Sequence, residues 1–181
     1  MKISDIDYKN SILVVVDMQK DFVDGALGFK KAEEIYKPIC ELIRDFKKEE
    51  SEVVFTKDTH EEHSYFNTVE GKNLPVLHCV KGSEGWKLYK DLENLIGESK
   101  VVEKDTFGSV ELAEYLKLQN KNNIYFCGVV TDICVFTNAV LTRTFCKDAR
   151  IVVLKDYVAS NDENIEAKSF DLLKHLNIEV L

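Results

Sequence analysis

Asn123-Ile-Tyr-Phe-Cys-Gly-Val-Val-Thr-Asp-Ile-Cys134 is the stretch whose reading decides the fold. Residues 124–129 are apolar or glycine, short, and carry the β-branched and aromatic side chains of a strand buried on both faces. Thr131-Asp132 then breaks the run, and over residues 133–147 apolar side chains recur at helical spacing. Thr131 or Asp132 can cap that helix, which would place Cys134 in its first turn, where unpaired N–H groups and the helix dipole favour a thiolate. Such a thiolate can attack a carbonyl. A cysteine that simply fills core space is the other reading, because free thiols are commonly buried.

Working outward, the same strand-then-helix pattern repeats. Residues 12–16, 53–55, 101–102, 124–129, 151–154 and 178–181 are short, apolar and rich in β-branched side chains, and predict six strands. Residues 32–50, 109–120, 133–147 and 164–175 carry apolar positions at helical spacing with charges between them. Alternation of this kind predicts a three-layer α/β/α sandwich, a parallel sheet covered by helices on both faces. No repeat, low-complexity tract or linker divides the chain, so 181 residues are read as one domain, 1–181.

Composition narrows the partners. A net charge of -8 argues against nucleic acid and anionic membrane surfaces, which carry the same sign, and leaves small molecules as the expected ligands. Five cysteines, an odd number without a Cys-x-x-Cys pair, fit reduced thiols in a cytoplasm. Residues 1–10 are polar and charged, and no apolar run approaches the roughly 20 residues of a membrane span, so the chain is expected to be soluble and unexported. Cys40, Cys127 and Cys146 are expected to pack in the core, and Cys79 beside His78.

Ligands of an open parallel sheet bind outside the carboxyl ends of its strands. Asp17, Asp58, Lys104 and Cys134 each follow such an end and would converge on one rim. Singly, an Asp there is an ordinary turn residue and a Lys an ordinary solvated charge. Together, an ammonium can support a thiolate while a carboxylate shuttles a proton. Residues 58–85 form one long irregular stretch holding three of the four histidines. Within it Asp58, His60 and His78, with Glu70 as a fourth ligand and His63 in reserve, have donor types suited to zinc, iron or manganese; exposed loop histidines are the competing reading.

The chain resembles the isochorismatase-like cysteine hydrolases, and within them the nicotinamidase branch. The resemblance rests on five ordered blocks: Val15-Val-Asp17-Met-Gln-Lys-Asp21-Phe22, Thr56-Lys-Asp58-Thr-His60, Glu70 through Pro75 and His78 to Gly82, Lys104-Asp-Thr-Phe107, and Gly128-Val-Val-Thr-Asp-Ile-Cys134-Val135. It implies a Rossmann-like six-stranded parallel sheet and a catalytic triad of Asp17, Lys104 and Cys134. It also implies a cis peptide before Thr131, an oxyanion hole from the N–H groups of Val130 and Cys134, and Phe22 as a wall against the substrate ring. The metal, zinc foremost with iron or manganese as alternatives, would sit on Asp58, His60, His78 and Glu70. The implied activity is hydrolysis of nicotinamide to nicotinate and ammonia through a thioester, in a cytoplasmic homo-oligomer. Isochorismatases proper lack the cysteine, so Cys134 argues against vinyl ether hydrolysis. A related amidohydrolase for N-carbamoyl or ureido substrates, and a non-catalytic interaction module of the same fold, are the alternatives. Leu74 stands where many members of the branch carry a ring-stacking aromatic.

Overall fold

The computed structural model describes residues 6–181; the first five positions of the expected domain, and with them part of the polar start, lie outside the described residues. Six strands form one parallel sheet: β1 (Ser11–Val16), β2 (Glu52–Asp58), β3 (Lys100–Lys104), β4 (Asn123–Val129), β5 (Arg150–Ala159) and β6 (Glu179–Val180). Their order is β3-β2-β1-β4-β5-β6. The chain runs outward from β1 to β3 and then returns to start again at β4, so the strand order reverses between β1 and β4. A crevice opens at that point, outside the carboxyl ends of the two strands.

Strand periodicity divides the interior into two cores. Leu13, Val15, Val53, Phe55, Tyr125, Cys127 and Val152 face one side, where α2 (Lys30–Lys48) packs with Ile35, Ile39, Leu42, Ile43 and Phe46, and α4 (Asp91–Leu95) packs with Leu92. Ile12, Val14, Val54, Ile124, Phe126 and Val153 face the other, against Leu112 and Leu116 of α5 (Val110–Gln119), Ala139 of α6 (Phe136–Phe145) and Phe170 and Leu173 of α7 (Glu163–His175). Every strand residue from Ser11 to Val16 is buried, which explains why β1 reads as a continuous apolar run. Each large aliphatic side chain so buried contributes about 1.5–3 kcal/mol, and these two layers hold the strand ends still.

Three short helices were not expected from the sequence: α1 (Lys20–Val23), α3 (Val69–Asn73) and α4. Each is too short to display a helical period. The stretch 58–85 is also better ordered than its composition suggests. It contains a 3-10 turn at Tyr65–Asn67 and α3, and it closes on itself through a parallel bridge between His60 and Val80. Cys40, Cys79 and Cys127 are buried as expected, whereas Cys146 is only half-buried, because it follows the last turn of α6 at the surface.

Candidate active site

Asp17 ends β1 with φ +46°, a left-handed conformation that costs about 1–3 kcal/mol in a residue with a Cβ. The bend takes Asp17 out of the sheet and lays its carboxylate in the crevice. Thr56 from the neighbouring strand secures it twice, donating its hydroxyl to Asp17 Oδ1 at 2.6 Å and accepting the Asp17 N–H at 3.2 Å. Behind it, Gly128 pairs with Val16 at φ +110°, and a Cβ there would lie 2.1 Å from the Val16 carbonyl oxygen. Only glycine lets β4 approach β1 this closely, one residue before Asp17.

Lys104, the last residue of β3, extends its ammonium into the middle of the crevice. Its Nζ lies 2.7 Å from Asp17 Oδ2, 3.3 Å from Asp58 Oδ1 and 3.6 Å from Cys134 Sγ. The structure therefore brings together Asp17, Lys104, Cys134 and Asp58, the four residues the sequence reading placed on one rim, and Asp58 is shared with the second cluster. All four are buried.

Two sequence expectations about the turn after β4 are corrected. The cis peptide joins Val129 to Val130, one position before the expected bond. The Val130–Thr131 peptide is instead engaged in the helix start, where the Val130 carbonyl accepts from the N–H groups of Ile133 and Val135. Neither Thr131 nor Asp132 caps the helix: its first turn, Thr131–Val135, is π-helical and has Val130 at its N-cap, without a side-chain cap. Cys134 does lie in that first turn.

The surroundings of Cys134 act on the expected thiolate in both directions. Burial pushes the Cys134 thiol well above the ordinary cysteine range; Lys104 opposes the shift, while the charges of Asp17 and Asp58 and a hydrogen bond to Asp17 reinforce it. The dipole of one helical turn does not overcome full desolvation beside two carboxylates. Burial also raises Asp17 above the usual carboxylate range, against the pull of Lys104. Burial works against the charge on Lys104, but Asp17, Cys134 and Asp58 together hold it well above the ordinary lysine value. Burial thus opposes the thiolate of Cys134 and the carboxylate of Asp17, and the charge of either one favours the ammonium of Lys104 between them.

Asp58 turns its other oxygen to the second cluster. Oδ2 lies 2.9 Å from His60 Nε2 and 3.4 Å from His78 Nε2, and Glu70 Oε1 lies 3.9 and 3.7 Å from the same two nitrogens. One donor atom from each of Asp58, His60, Glu70 and His78 lies within 4.8 Å of all the others. His78 Nδ1 is 2.8 Å from the Val76 carbonyl, which only accepts; Nδ1 therefore carries a hydrogen, and Nε2 is the nitrogen turned to the cluster. Two imidazoles and two carboxylates around one point form a donor set that fits a divalent metal. Burial disfavours charge on Asp58, but Lys104, His60 and His78 keep it well below the usual carboxylate range; Glu70 is raised by burial and by Asp58. His63 is exposed and outside this group, because the 3-10 turn that follows directs it to solvent.

The His60–Val80 bridge is what closes the cluster. His60 N–H donates to the Cys79 carbonyl at 3.0 Å, and its own carbonyl accepts from Lys81 at 2.9 Å, which folds the far end of the loop against β2. Three further residues that sequence reasoning passed over hold this arrangement. Gln19, fully buried, accepts the Asp58 N–H at 2.7 Å and donates to the carbonyls of Asp58 and Trp86 at 2.8 and 2.9 Å. Asp21 accepts the Cys79 N–H at 2.8 Å. Tyr65 packs edge-on against both His60 and His78, with ring centroids 4.8 and 5.3 Å away. Gln19 and Asp21 lie inside the Asp17–Phe22 block, where two polar side chains beside a buried Asp were the available signal.

Between the two clusters lies a cavity of about 270 Å³, lined by Phe22, Leu74, His78, Phe107, Val130 and Cys134 among others. That volume is at the small end of ligand pockets, about 300–1,000 Å³, and suits a molecule of one ring. Phe22 forms one wall and meets the His78 ring edge-on at 5.5 Å. Leu74 contributes aliphatic surface where an aromatic ring was the alternative.

A doubly wound sheet with a thiol, an ammonium and a carboxylate at its switch point, beside a metal-binding cluster, defines the class as an α/β enzyme for a small molecule. The Isochorismatase domain model matches residues 11–181, and the chain belongs to the isochorismatase family. Among its relatives, the nicotinamidase of Saccharomyces cerevisiae is 27% identical over 93% of this chain and 98% of its own length. The pyrazinamidase/nicotinamidase of Streptococcus mutans superposes with a TM-score of 0.84 at 26% identity, covering 94% of this chain and 99% of that one. The pyrazinamidase of Pyrococcus horikoshii, solved in complex with zinc, superposes with a TM-score of 0.79 at 26% identity over 95% and 98% of the two chains.

Proposed function

We propose that this chain is a nicotinamidase: an amidohydrolase that cleaves the carbon–nitrogen bond of nicotinamide to give nicotinate and ammonia. The observation that carries the reading is the position of Lys104 Nζ, within 3.6 Å of Cys134 Sγ, Asp17 and Asp58 at once, beside a cavity for a single ring. The named nicotinamidase relatives support the same substrate.

In this reading Asp17 takes the proton of the Cys134 thiol as the sulfur attacks the amide carbon. Its raised basicity narrows the gap to the thiol, and Lys104 stabilises the negative charge passing between them. The N–H groups of Val130 and Cys134, both residues of the cavity wall, receive the tetrahedral oxygen. Collapse expels ammonia, which takes the proton from Asp17, and leaves a thioester on Cys134. Asp17 then removes a proton from water, which releases the acid and restores the thiol. Asp58, His60, His78 and Glu70 would hold a divalent metal, zinc in this proposal, and that metal would supply a Lewis acid for the pyridine nitrogen. Phe22 confines the ring against His78. Residues 1–181 act as one catalytic domain in a cytoplasmic homo-oligomer, in keeping with five free cysteines and with described residues that include no helix long and apolar enough to cross a membrane.

Release of ammonia from nicotinamide by the purified protein, measured beside an N-carbamoyl compound, tests the substrate. Turnover of nicotinamide alone is expected. Turnover of the N-carbamoyl compound alone would transfer the same machinery to the ureido branch, and turnover of neither would leave an interaction module of this fold.

A further inference from the structure

Thr131 stands at the head of a helix, where a threonine ordinarily turns its hydroxyl to the helix's own N–H groups. Here it does not. Its hydroxyl, on a residue with no exposed surface, donates to Glu166 Oε1 at 2.8 Å. Glu166 belongs to α7, a different helix, and is itself 9% exposed. Its second oxygen, Oε2, accepts from Lys31 Nζ of α2 at 3.3 Å. The two helices lie on opposite faces of the sheet, so the carboxylate gathers a layer from each side onto one residue of the turn. The start of α7 borders the cavity as well: Ser160, Asn161 and Asp162 line it, and the Asp162 carbonyl accepts the Glu166 N–H at 2.9 Å.

We infer that Glu166, acting through the Thr131 hydroxyl, is a positioning residue that sets the direction of the Val130 N–H toward the substrate oxygen. The inference rests on the oxyanion role proposed above for Val130. Val130 has two anchors. Its carbonyl is tied forward to the N–H groups of Ile133 and Val135, and the residue after it is tied sideways to Glu166. Both anchors hold the Val130–Thr131 peptide, whereas the Val130 N–H belongs to the peptide before it; with the second anchor gone, a turn of the Val130–Thr131 peptide reaches that N–H through the backbone dihedrals of Val130, φ -90° and ψ 141°. A donor serves an oxyanion only within about 2.7–3.1 Å of where that oxygen will be, so a small rotation is enough to lose it. A carboxylate suits this task because its hydrogen bond to a hydroxyl is charge-assisted, and a buried carboxylate needs both of its partners.

The test compares Glu166→Ala, Glu166→Gln, Thr131→Val and Thr131→Ser with the wild-type enzyme. The readouts are nicotinamide kcat and KM, inhibition by nicotinaldehyde, and melting temperature. Nicotinaldehyde carries hydrogen in place of the amino group, and addition of the Cys134 thiol to its carbonyl transfers the thiol proton to the new oxygen or to a nearby base, giving a tetrahedral adduct that needs the same oxyanion donors. The Ala and Val variants are expected to lower kcat by about ten- to a hundredfold with KM within about twofold, and to weaken nicotinaldehyde by a similar factor. The Gln variant, whose amide oxygen still accepts, and the Ser variant, which keeps the hydroxyl, are expected to recover most of the loss. Combining Glu166→Ala with Thr131→Val is expected to cost no more than either alone. Glu163→Gln, which removes the exposed second partner of Lys31, is expected to leave activity unchanged.

Wild-type kcat in the Ala or Val variant would overturn the inference, as would full sensitivity to nicotinaldehyde or a doubled loss in the combined variant. If Glu166→Ala does not fold, the contrast between Thr131→Val and Thr131→Ser decides. Absence of turnover in the wild type would instead overturn the proposed function.

Discussion

At the scale of single residues, burial and charge act in opposite directions on the same carboxylate. Asp17 has its pKa raised in the folded chain, so its ionisation opposes folding: its contribution is favourable below the unfolded value of about 3.9 and is lost as pH rises through the folded value. A neutral amide of the same shape avoids that loss. Asp17→Asn also takes away the partner 2.7 Å from the Lys104 ammonium, a cost that pH does not change, so the linkage is read from the slope: in metal-free protein the melting temperature of Asp17→Asn relative to the wild type is expected to rise between pH 4 and pH 7, with turnover abolished. A difference that is constant or falls over that range would contradict this. For the same reason the acidic limb of kcat/KM is expected above pH 4, at the raised pKa of Asp17 in the free enzyme; a limb at or below the ordinary aspartate value would contradict its role as base. The identities of Asp17, Lys104 and Cys134 were legible because each ends a strand and carries chemistry. The upward push on the Cys134 thiol was not, since it depends on how deeply the fold buries the sulfur and on the carboxylates packed around it. The bond from Thr131 to Glu166 joins residues far apart in the chain and left no local trace.

At the scale of elements, β1 and β4 were readable but for their polar first residues, Ser11 and Asn123, because a strand buried on both faces is a continuous apolar run. β5 was read too short, at 151–154. Its pairing with β4 resumes beyond a register shift, with Gly128 opposite Val158 and Val129 opposite Ala159, and the intervening Lys155 and Asp156 are exposed and break the apolar pattern. β6 was read too long, since only Glu179 and Val180 pair with β5. The loop between β2 and β3 was the least legible element, because the His60–Val80 bridge and the hydrogen bonds of Gln19 and Asp21 are long-range. Gly128 gives the sharpest element-scale prediction. Gly128→Ala is expected to destabilise the protein by about 2 kcal/mol or more, read from urea unfolding, and to reduce turnover by moving Asp17, because the new Cβ meets the Val16 carbonyl at a positive φ. An unchanged unfolding midpoint would show that β4 can withdraw from β1 at no cost.

At the scale of the whole molecule, the two clusters form one site because Asp58 holds Lys104 with one oxygen and the histidines with the other. Six strands and two covering layers bring those residues together from distant parts of the chain, and the alternation of strands and helices made that architecture legible before any contact was known. A metal bound by Asp58, His60, Glu70 and His78 would cross-link β2, α3 and the returning loop, and it would bind only the folded chain. Zinc at a hundred times its dissociation constant is then expected to stabilise the protein by about 2.7 kcal/mol, seen as a rise in melting temperature that a chelator reverses. Asp58→Ala and His60→Ala are each expected to remove both the rise and the bound metal; stoichiometric metal in both variants would contradict the ligand set. The central claim, that the thiol of Cys134 performs the hydrolysis, is tested most directly by the rate of nicotinate formation from nicotinamide in the wild-type protein and in Cys134→Ala. The account predicts steady turnover in the wild type and a rate at least about ten-thousandfold lower in the variant. Comparable rates in the two proteins would contradict it.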